Sequence, residues 1–203
     1  MASSSGRRQA TRQKVFEAAV PLLAEKGFAA TTVDEIAERA GVAKGTVYYN
    51  FESKSVLFEE LLRHGVALLT ASLRETAEQT VREGGSQVDA LDAMIGAGLA
   101  FIERYPAITT LYVSELWRPH TEWNAALRMV REDAVAVVRG VLEAGVAGGE
   151  FSGEIDVQLT ASAMTGMVLV VALDWRTFQP DRSREDVHAS LSLLLQGRVA
   201  ARR

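Results

Sequence analysis

An all-α fold is what the sequence predicts, on two observations. Apolar residues recur at helical spacing over long segments with no alternating strand pattern. The breaks between those segments, "EGGSQ", "WRPHTE", "GVAGGEFSGE" and "QPDRS", are built from glycine, proline and polar residues. Together they predict about nine helices, over residues 9–26, 33–40, 44–50, 54–81, 87–104, 106–117, 122–146, 155–178 and 184–200. The first three form a small N-terminal domain, residues 1–53, that includes a flexible N-terminal arm. The remainder, residues 54–203, forms a larger helical domain.

Each element has a local reason. Pro21 falls inside the first helical pattern, where it removes a backbone hydrogen bond and predicts a kink. Thr32 followed by Glu35 is a capping-box pair that starts a helix at Val33. Gly41 suits the left-handed cap that ends it. Pro106 suits a first helical turn, where its missing N–H is no loss. The Ser183 to Asp186 spacing starts the last helix.

The 203 residues are 48% hydrophobic and 24% charged, which is ordinary for a globular chain. There is no cysteine, so disulfide and thiolate chemistry are excluded. The apolar run from Gly166 to Leu173 is far short of the roughly 20 residues a membrane span needs. No apolar stretch of signal-peptide type follows the charged start. A cytoplasmic protein without a membrane partner is expected. The net charge of −4 is unevenly spread: residues 1–55 hold 8 Lys/Arg against 6 Asp/Glu, and residues 56–203 hold 14 against 20. All four lysines, Lys14, Lys26, Lys44 and Lys54, lie in the first part, which points to a polyanionic partner at that end.

The stretch "TTVDEIAERAGVAKGTVYYNFESK", residues 31–54, carries the chemistry. Ile36, Ala37 and Ala40 share one face of its first helix, and Val42 and Val47 turn inward across the Gly41 corner. That is a helix-turn-helix pattern. With Val47 inward, Lys44, Thr46, Tyr48 and Tyr49 spread over the outer faces of a helix about two turns long. So short a helix needs neighbours to hold it, and Phe16, Phe28, Phe51 and Leu57 are the candidates. Tyr and Thr hydroxyls donate to phosphate oxygens, Lys44 reaches phosphate or a guanine edge, and Gly45 lets backbone come close to DNA. Lys54 opens the next helix, where its ammonium and the N-terminal amides could clasp a further phosphate. Arg7, Arg8 and Arg12 read as a solvated tail or as an arm along the duplex.

The run "LLAEKGFAATTVDEIAERAGVAKGTVYYNFESKSVLFEELL" resembles the DNA-binding region of the TetR family of transcriptional repressors, over residues 10–62. The resemblance implies a homodimer that binds a palindromic operator in double-stranded DNA and releases it when a small molecule enters the C-terminal domain. By position, Thr32, Lys44, Thr46, Tyr48, Tyr49, Asn50 and Lys54 match places where family members touch DNA, and Gly45 matches a position of close approach. Ala43 stands where the family often has serine or threonine.

Beyond residue 90 the chain concentrates flat and adaptable apolar side chains. Met94, Phe101, Tyr105, Tyr112, Leu116, Trp117, Trp123, Met164, Met167 and Trp175 are the candidate lining of a pocket for an apolar or aromatic effector, and Asn124 is a polar group to orient it. Any one of the apolar group is more often plain core. Glu115, His120, Thr165 and Asp174 are further polar candidates. For the dimer interface, Leu159, Ala163, Gly166 and Val170 make a narrow stripe of small and branched residues. Leu191, Leu194 and Leu195 supply a second stripe on the last helix. No cofactor or metal is expected.

Catalysis finds no footing. The histidines His64, His120 and His188 are far apart, and neither an HExxH nor a nucleophile-elbow motif occurs. A sequence-indifferent architectural DNA protein would be basic over much of its surface, and this chain is acidic. A corepressor-dependent regulator or an activator of the same fold is left open by the sequence.

Overall fold

A computed structural model describes residues 4–116 and 124–198, and these are helical with short connections. In chain order the helices are α1 (Ser4–Ala30), α2 (Val33–Ala40), α3 (Lys44–Phe51), α4 (Lys54–Arg82), α5 (Gln87–Arg104), α6 (Pro106–Leu116), α7 (Asn124–Ala147), α8 (Val157–Phe178) and α9 (Arg184–Arg198). No strand occurs among the described residues. Two compact units emerge. One comprises residues 1–65 and 105–130, the other residues 66–104 and 131–203. The boundary expected after residue 53 does not coincide with this division, because α6 packs against α1 within the first unit.

In the first unit α1 begins at Ser4, well before the expected residue 9, and the arginines read as a tail lie on it. The Thr11 hydroxyl donates to the Arg7 carbonyl at 3.0 Å, and the Arg8 guanidinium lies 5.8 Å from the Tyr49 ring centroid. The break in α1 is at Gly27 rather than at Pro21. Gly27 takes φ 76°, ψ 168°, a conformation that excludes side chains, whereas Pro21 keeps helical angles. Thr31 returns its N–H and its hydroxyl to the Gly27 carbonyl at 3.3 and 2.8 Å, which closes the corner. Phe16, Val33, Ile36, Ala37, Val47, Phe51, Leu57 and Phe58 are buried in this unit. Their aromatic rings meet in pairs, Phe16 with Phe51 and Phe28 with Phe58, each at 5.3 Å.

The second unit has its own core, in which Leu91, Leu99, Leu142, Ala161, Ala172 and Leu191 are at most 1% exposed. Close approaches depend on missing side chains: a Cβ at Gly145 would stand 2.2 Å from the Phe151 ring. Helix starts are capped. Asp156 accepts from the Leu159 N–H at 2.9 Å, Ser183 from the Asp186 N–H at 3.1 Å, and Glu150 accepts the Gln87 N–H at 2.7 Å. By length and composition alone α8 could cross a membrane, at mean hydropathy 1.5. One face of it is buried in this unit through Ala161, Met164, Ala172 and Trp175.

The capping box at α2 is formed in full. The Glu35 N–H donates to the Thr32 hydroxyl at 3.2 Å, and the Thr32 N–H donates to Glu35 Oε2 at 2.9 Å. Lys26 Nζ reaches the other carboxylate oxygen at 2.6 Å. The Lys26 hydrogen bond, then the Thr32 N–H and hydroxyl, hold the Glu35 carboxyl down to about 2 from 4.5. A carboxyl depressed on folding adds stability above its unfolded pKa and loses it as pH falls through the folded one. The thermal midpoint of the wild type should therefore exceed that of Glu35→Gln at pH 5, and the gap should close between pH 4.5 and about 2. A gap independent of pH in thermal melts would show that the charge of Glu35 contributes nothing.

Candidate nucleic-acid interface

The surface of α2 and α3 follows from the Gly41 corner. Gly41 ends α2 in the left-handed region at φ 66°, and its N–H and that of Val42 satisfy the last carbonyls of α2. The chain then turns into α3, whose Val47 and Phe51 are 2% and 1% exposed. With those two inward, the opposite side of α3 faces solvent. Tyr49 is 77% exposed and Tyr48 44%, Lys44 and Gly45 are exposed, and Thr46 is half-buried. These are phenol, ammonium and hydroxyl donors on one short rod, the set that suits phosphate oxygens and base edges.

Gly45 is informative because nothing among the described residues requires it. A Cβ there would have no neighbour within 4 Å, and its φ is not positive. The missing side chain therefore serves no turn and no packing among the described residues.

Lys44 is not bare. Its ammonium lies 2.8 Å from Asp34 Oδ2, on an exposed part of α2, and that hydrogen bond raises its pKa. Two of its three N–H donors remain for a partner. Thr32, also expected at DNA, gives its side chain to the capping box.

Asn50 and Lys54 depart from expectation. Asn50 is 6% exposed, its amide donates to the Thr46 carbonyl at 2.8 Å, and its side chain points into the unit. Helical geometry explains this: Asn50 follows Val47 by three residues and shares its inward face. Lys54 donates to the Phe28 and Thr31 carbonyls at 2.8 and 2.9 Å and lies 4.1 Å from the Phe28 ring centroid. Those carbonyls belong to the turn after Gly27, so Lys54 ties the start of α4 to that turn.

Arg12, expected in a solvated tail or an arm along the duplex, lies half-buried on α1 against α3 and α4. Its guanidinium donates to the Asn50 carbonyl at 2.8 Å, pairs with Glu60 on α4, and lies 4.5 Å from the Phe51 ring centroid. Burial, then the charge of Arg8, pushes its pKa down. The signal was present in the sequence: Arg8, Arg12 and Phe16 are spaced by four, which stacks them along one face of a helix.

The expected effector residues do not assemble at one described place. Met94, Met164 and Trp175 belong to the core of the second unit, Met167 packs against it, and Phe101 in the same unit is half-buried. The Trp175 indole donates to the Arg182 carbonyl at 2.9 Å, a structural bond. Tyr105 and Tyr112 are half-buried in the first unit. Trp117, His120 and Trp123 lie outside the described residues, as do the side chains of Glu115, Leu116 and Asn124.

The expected interface stripe on α8 is largely open to solvent: Leu159 is 67% exposed, Val170 62%, Ala163 is exposed, and a Cβ on the half-buried Gly166 would meet nothing within 4 Å. On α9 the expectation needs correction. Leu191 and Leu195 are 1% and 2% exposed and pack in their own core, so the outward leucines are Leu193 and Leu194, at 72% and 43%. Leu191 and Leu195 sit one turn apart and occupy the same inward stripe, which leaves the pair between them outside.

The family model described as "Bacterial regulatory proteins, tetR family" matches residues 15–61, and that described as "Tetracyclin repressor-like, C-terminal domain" matches residues 84–189. The chain belongs to the TetR family. It is a transcriptional regulator with a helix-turn-helix DNA-binding unit. The HTH-type transcriptional repressor KstR2 of Rhodococcus jostii (strain RHA1) is 30% identical to it over 161 residues, 78% of this chain and 76% of the relative. The solved structure of the ketosteroid transcriptional regulator KstR2 of Mycobacterium tuberculosis is similar at TM-score 0.70 and 25% identity, covering 94% of this chain and 95% of that one. The transcriptional regulator FadR from Bacillus subtilis, in complex with stearoyl-CoA, has TM-score 0.79 at 22% identity, covering 90% and 96%.

Within this TetR family member, α3 lacks the cap that α2 has. Ala43 holds the N-cap position with φ −69° and ψ 145° and makes no side-chain hydrogen bond. A hydroxyl there would accept an orphan N–H at the start of α3. Ala43→Ser should stabilise the protein by about 1 kcal/mol in chemical denaturation. No gain would mean that packing from behind already satisfies that turn.

Proposed function

We propose that this TetR family member is a ligand-responsive repressor that binds a palindromic operator as a homodimer through α2 and α3. A small apolar or acyl effector would release it. The observation that carries the DNA reading is the outward face of α3, with Lys44, Thr46, Tyr48 and Tyr49 around a glycine whose Cβ would meet only open space. Such a glycine is explained by a surface that comes close from outside, and the duplex backbone is that surface. A regulator of this kind works where bacterial DNA lies, in the cytoplasm.

Homodimerisation is supported by the exposed apolar residues Leu159, Ala163 and Val170 on α8 and Leu193 and Leu194 on α9, the kind of surface that a protein partner covers. The same observation speaks against α8 as a membrane span, since its other face belongs to a protein core. A twofold dimer must hold two α3 helices about 34–36 Å apart to enter successive major grooves. An effector that favours another spacing depletes the DNA-competent population by no more than its differential affinity. The stearoyl-CoA bound by FadR makes acyl-CoA thioesters the first class to test.

The deciding experiment is selection of bound sequences from a random DNA pool at about 150 mM salt, followed by release with a panel of acyl-CoA thioesters of increasing chain length. A palindrome with half-sites about one turn apart supports the reading. Enrichment of nothing overturns it.

Three substitutions separate the contributions. Gly45→Ala should leave stability unchanged or raise it by up to about 1 kcal/mol, since alanine is the better helix former, yet weaken operator binding. Unaltered affinity in Gly45→Ala would mean that DNA does not approach there. Tyr49→Phe should weaken all operators alike by the loss of one phosphate contact. Lys44→Ala should also alter base preference if it reads guanine, and equal loss across a randomised half-site would reduce it to a phosphate contact.

A further inference from the structure

A cleft of about 360 Å³ opens in the first unit between α1 and α4. Arg8, Arg12 and Phe16 line it from α1, and Glu60, Arg63 and His64 line it from α4. Neither the α3 surface nor the effector reading uses it. Three guanidinium groups and an imidazole thus converge on a recess that holds one carboxylate.

That carboxylate is already taken. Glu60 pairs with Arg12, and Arg12 also donates to the Asn50 carbonyl, so these two groups balance each other and stay in place. Arg8 makes no ion pair among the described residues, its interaction being with the face of the Tyr49 ring. Arg63 comes only within 3.8 Å of Glu59, a neighbour on its own helix that does not line the cleft. Exposed pairs of that kind contribute little and exchange readily. The pKa of Arg12 is lowered by burial first and then by the nearby charge of Arg8. Beneath the arginines, Phe16 and His64 stack at 5.5 Å with 28° between their planes, which gives the recess a flat floor.

We propose that this cleft binds a phosphate group, with Arg8 and Arg63 as its two guanidinium ligands, His64 as a third donor, and the half-buried Arg12 as the residue that shapes the site. Guanidinium forks match phosphate oxygens in pairs, and two forks on facing helices suit a tetrahedral, multiply charged oxyanion better than a planar carboxylate. The cleft is larger than a lone phosphate, so the group carries a substituent that lies over Phe16 and His64. Two sources share this chemistry: a backbone phosphate of DNA outside the half-site, or a free phosphorylated small molecule.

The test uses the full-length protein and inorganic pyrophosphate as the probe. The chain has three histidines, so the His64 ring resonances are assignable by comparison with His64→Gln. Titration at constant ionic strength should move the His64 resonances saturably while those of His188 stay put. Arg63→Ala and Arg8→Ala, both at exposed positions and expected to fold, should each raise the dissociation constant at least tenfold. His64 resonances that do not move, or that move with the same midpoint in both variants, would overturn the site. Competition then identifies the source. If saturating pyrophosphate weakens operator binding, the occupant is a DNA phosphate; if operator and pyrophosphate bind together, it is a phosphorylated small molecule. The titration needs no operator, so it stands or falls separately from the repressor reading.

Discussion

A helix of eight residues without a side-chain cap does not hold itself together in water, so whatever this protein offers to DNA depends on how α3 is gripped from behind. The grip is a small set of contacts around Arg12. Its guanidinium joins the carbonyl at the end of α3, the Phe51 ring and the Glu60 carboxylate of α4, which fixes three helices relative to one side chain. Lys54 does the same at the opposite edge, tying the start of α4 to the turn that follows Gly27. Two cations that a charge count assigns to the nucleic acid are thereby used to hold the frame. The helix they support is left free to present its phenols and one ammonium outward.

That division of labour explains how an acidic chain carries a DNA-binding surface. On α3 the one cation is Lys44, and it rests against Asp34. Exposed ion pairs are worth little, so exchanging a carboxylate for a phosphate costs little. Lys26 against Glu35 has a different role, because Glu35 is also the capping residue of α2 and its charge is part of the fold.

The second unit shows a related economy in apolar surface. α8 buries Ala161, Met164, Ala172 and Trp175 in its own core and leaves Leu159, Ala163 and Val170 outside. α9 buries Leu191 and Leu195 and leaves Leu193 and Leu194 outside. Each helix is thus apolar on more of its surface than its own core uses. The excess is what a second protein surface, such as another copy of the chain, would cover.

Nearly all of the secondary structure was legible in the sequence, because helix ends are local events. The Thr32 and Glu35 box, the Gly41 cap, Pro106 at a first turn and the Ser183 cap involve residues within four positions of each other, and each is found where its spacing put it. The outward set on α3 was legible for the same reason: once Val47 is inward, rotation by 100° per residue assigns the rest. What tertiary structure decided was the use of long, charged and apolar side chains. Arg12 and Lys54 reach across to carbonyls 38 and 26 residues away in the chain, and no local pattern says that groups so distant in sequence will claim them. Asn50 turned inside, and Leu191 and Leu195 joined their own core. A repeating apolar stripe says only that a face will be covered; which partner covers it depends on the packing of the whole unit.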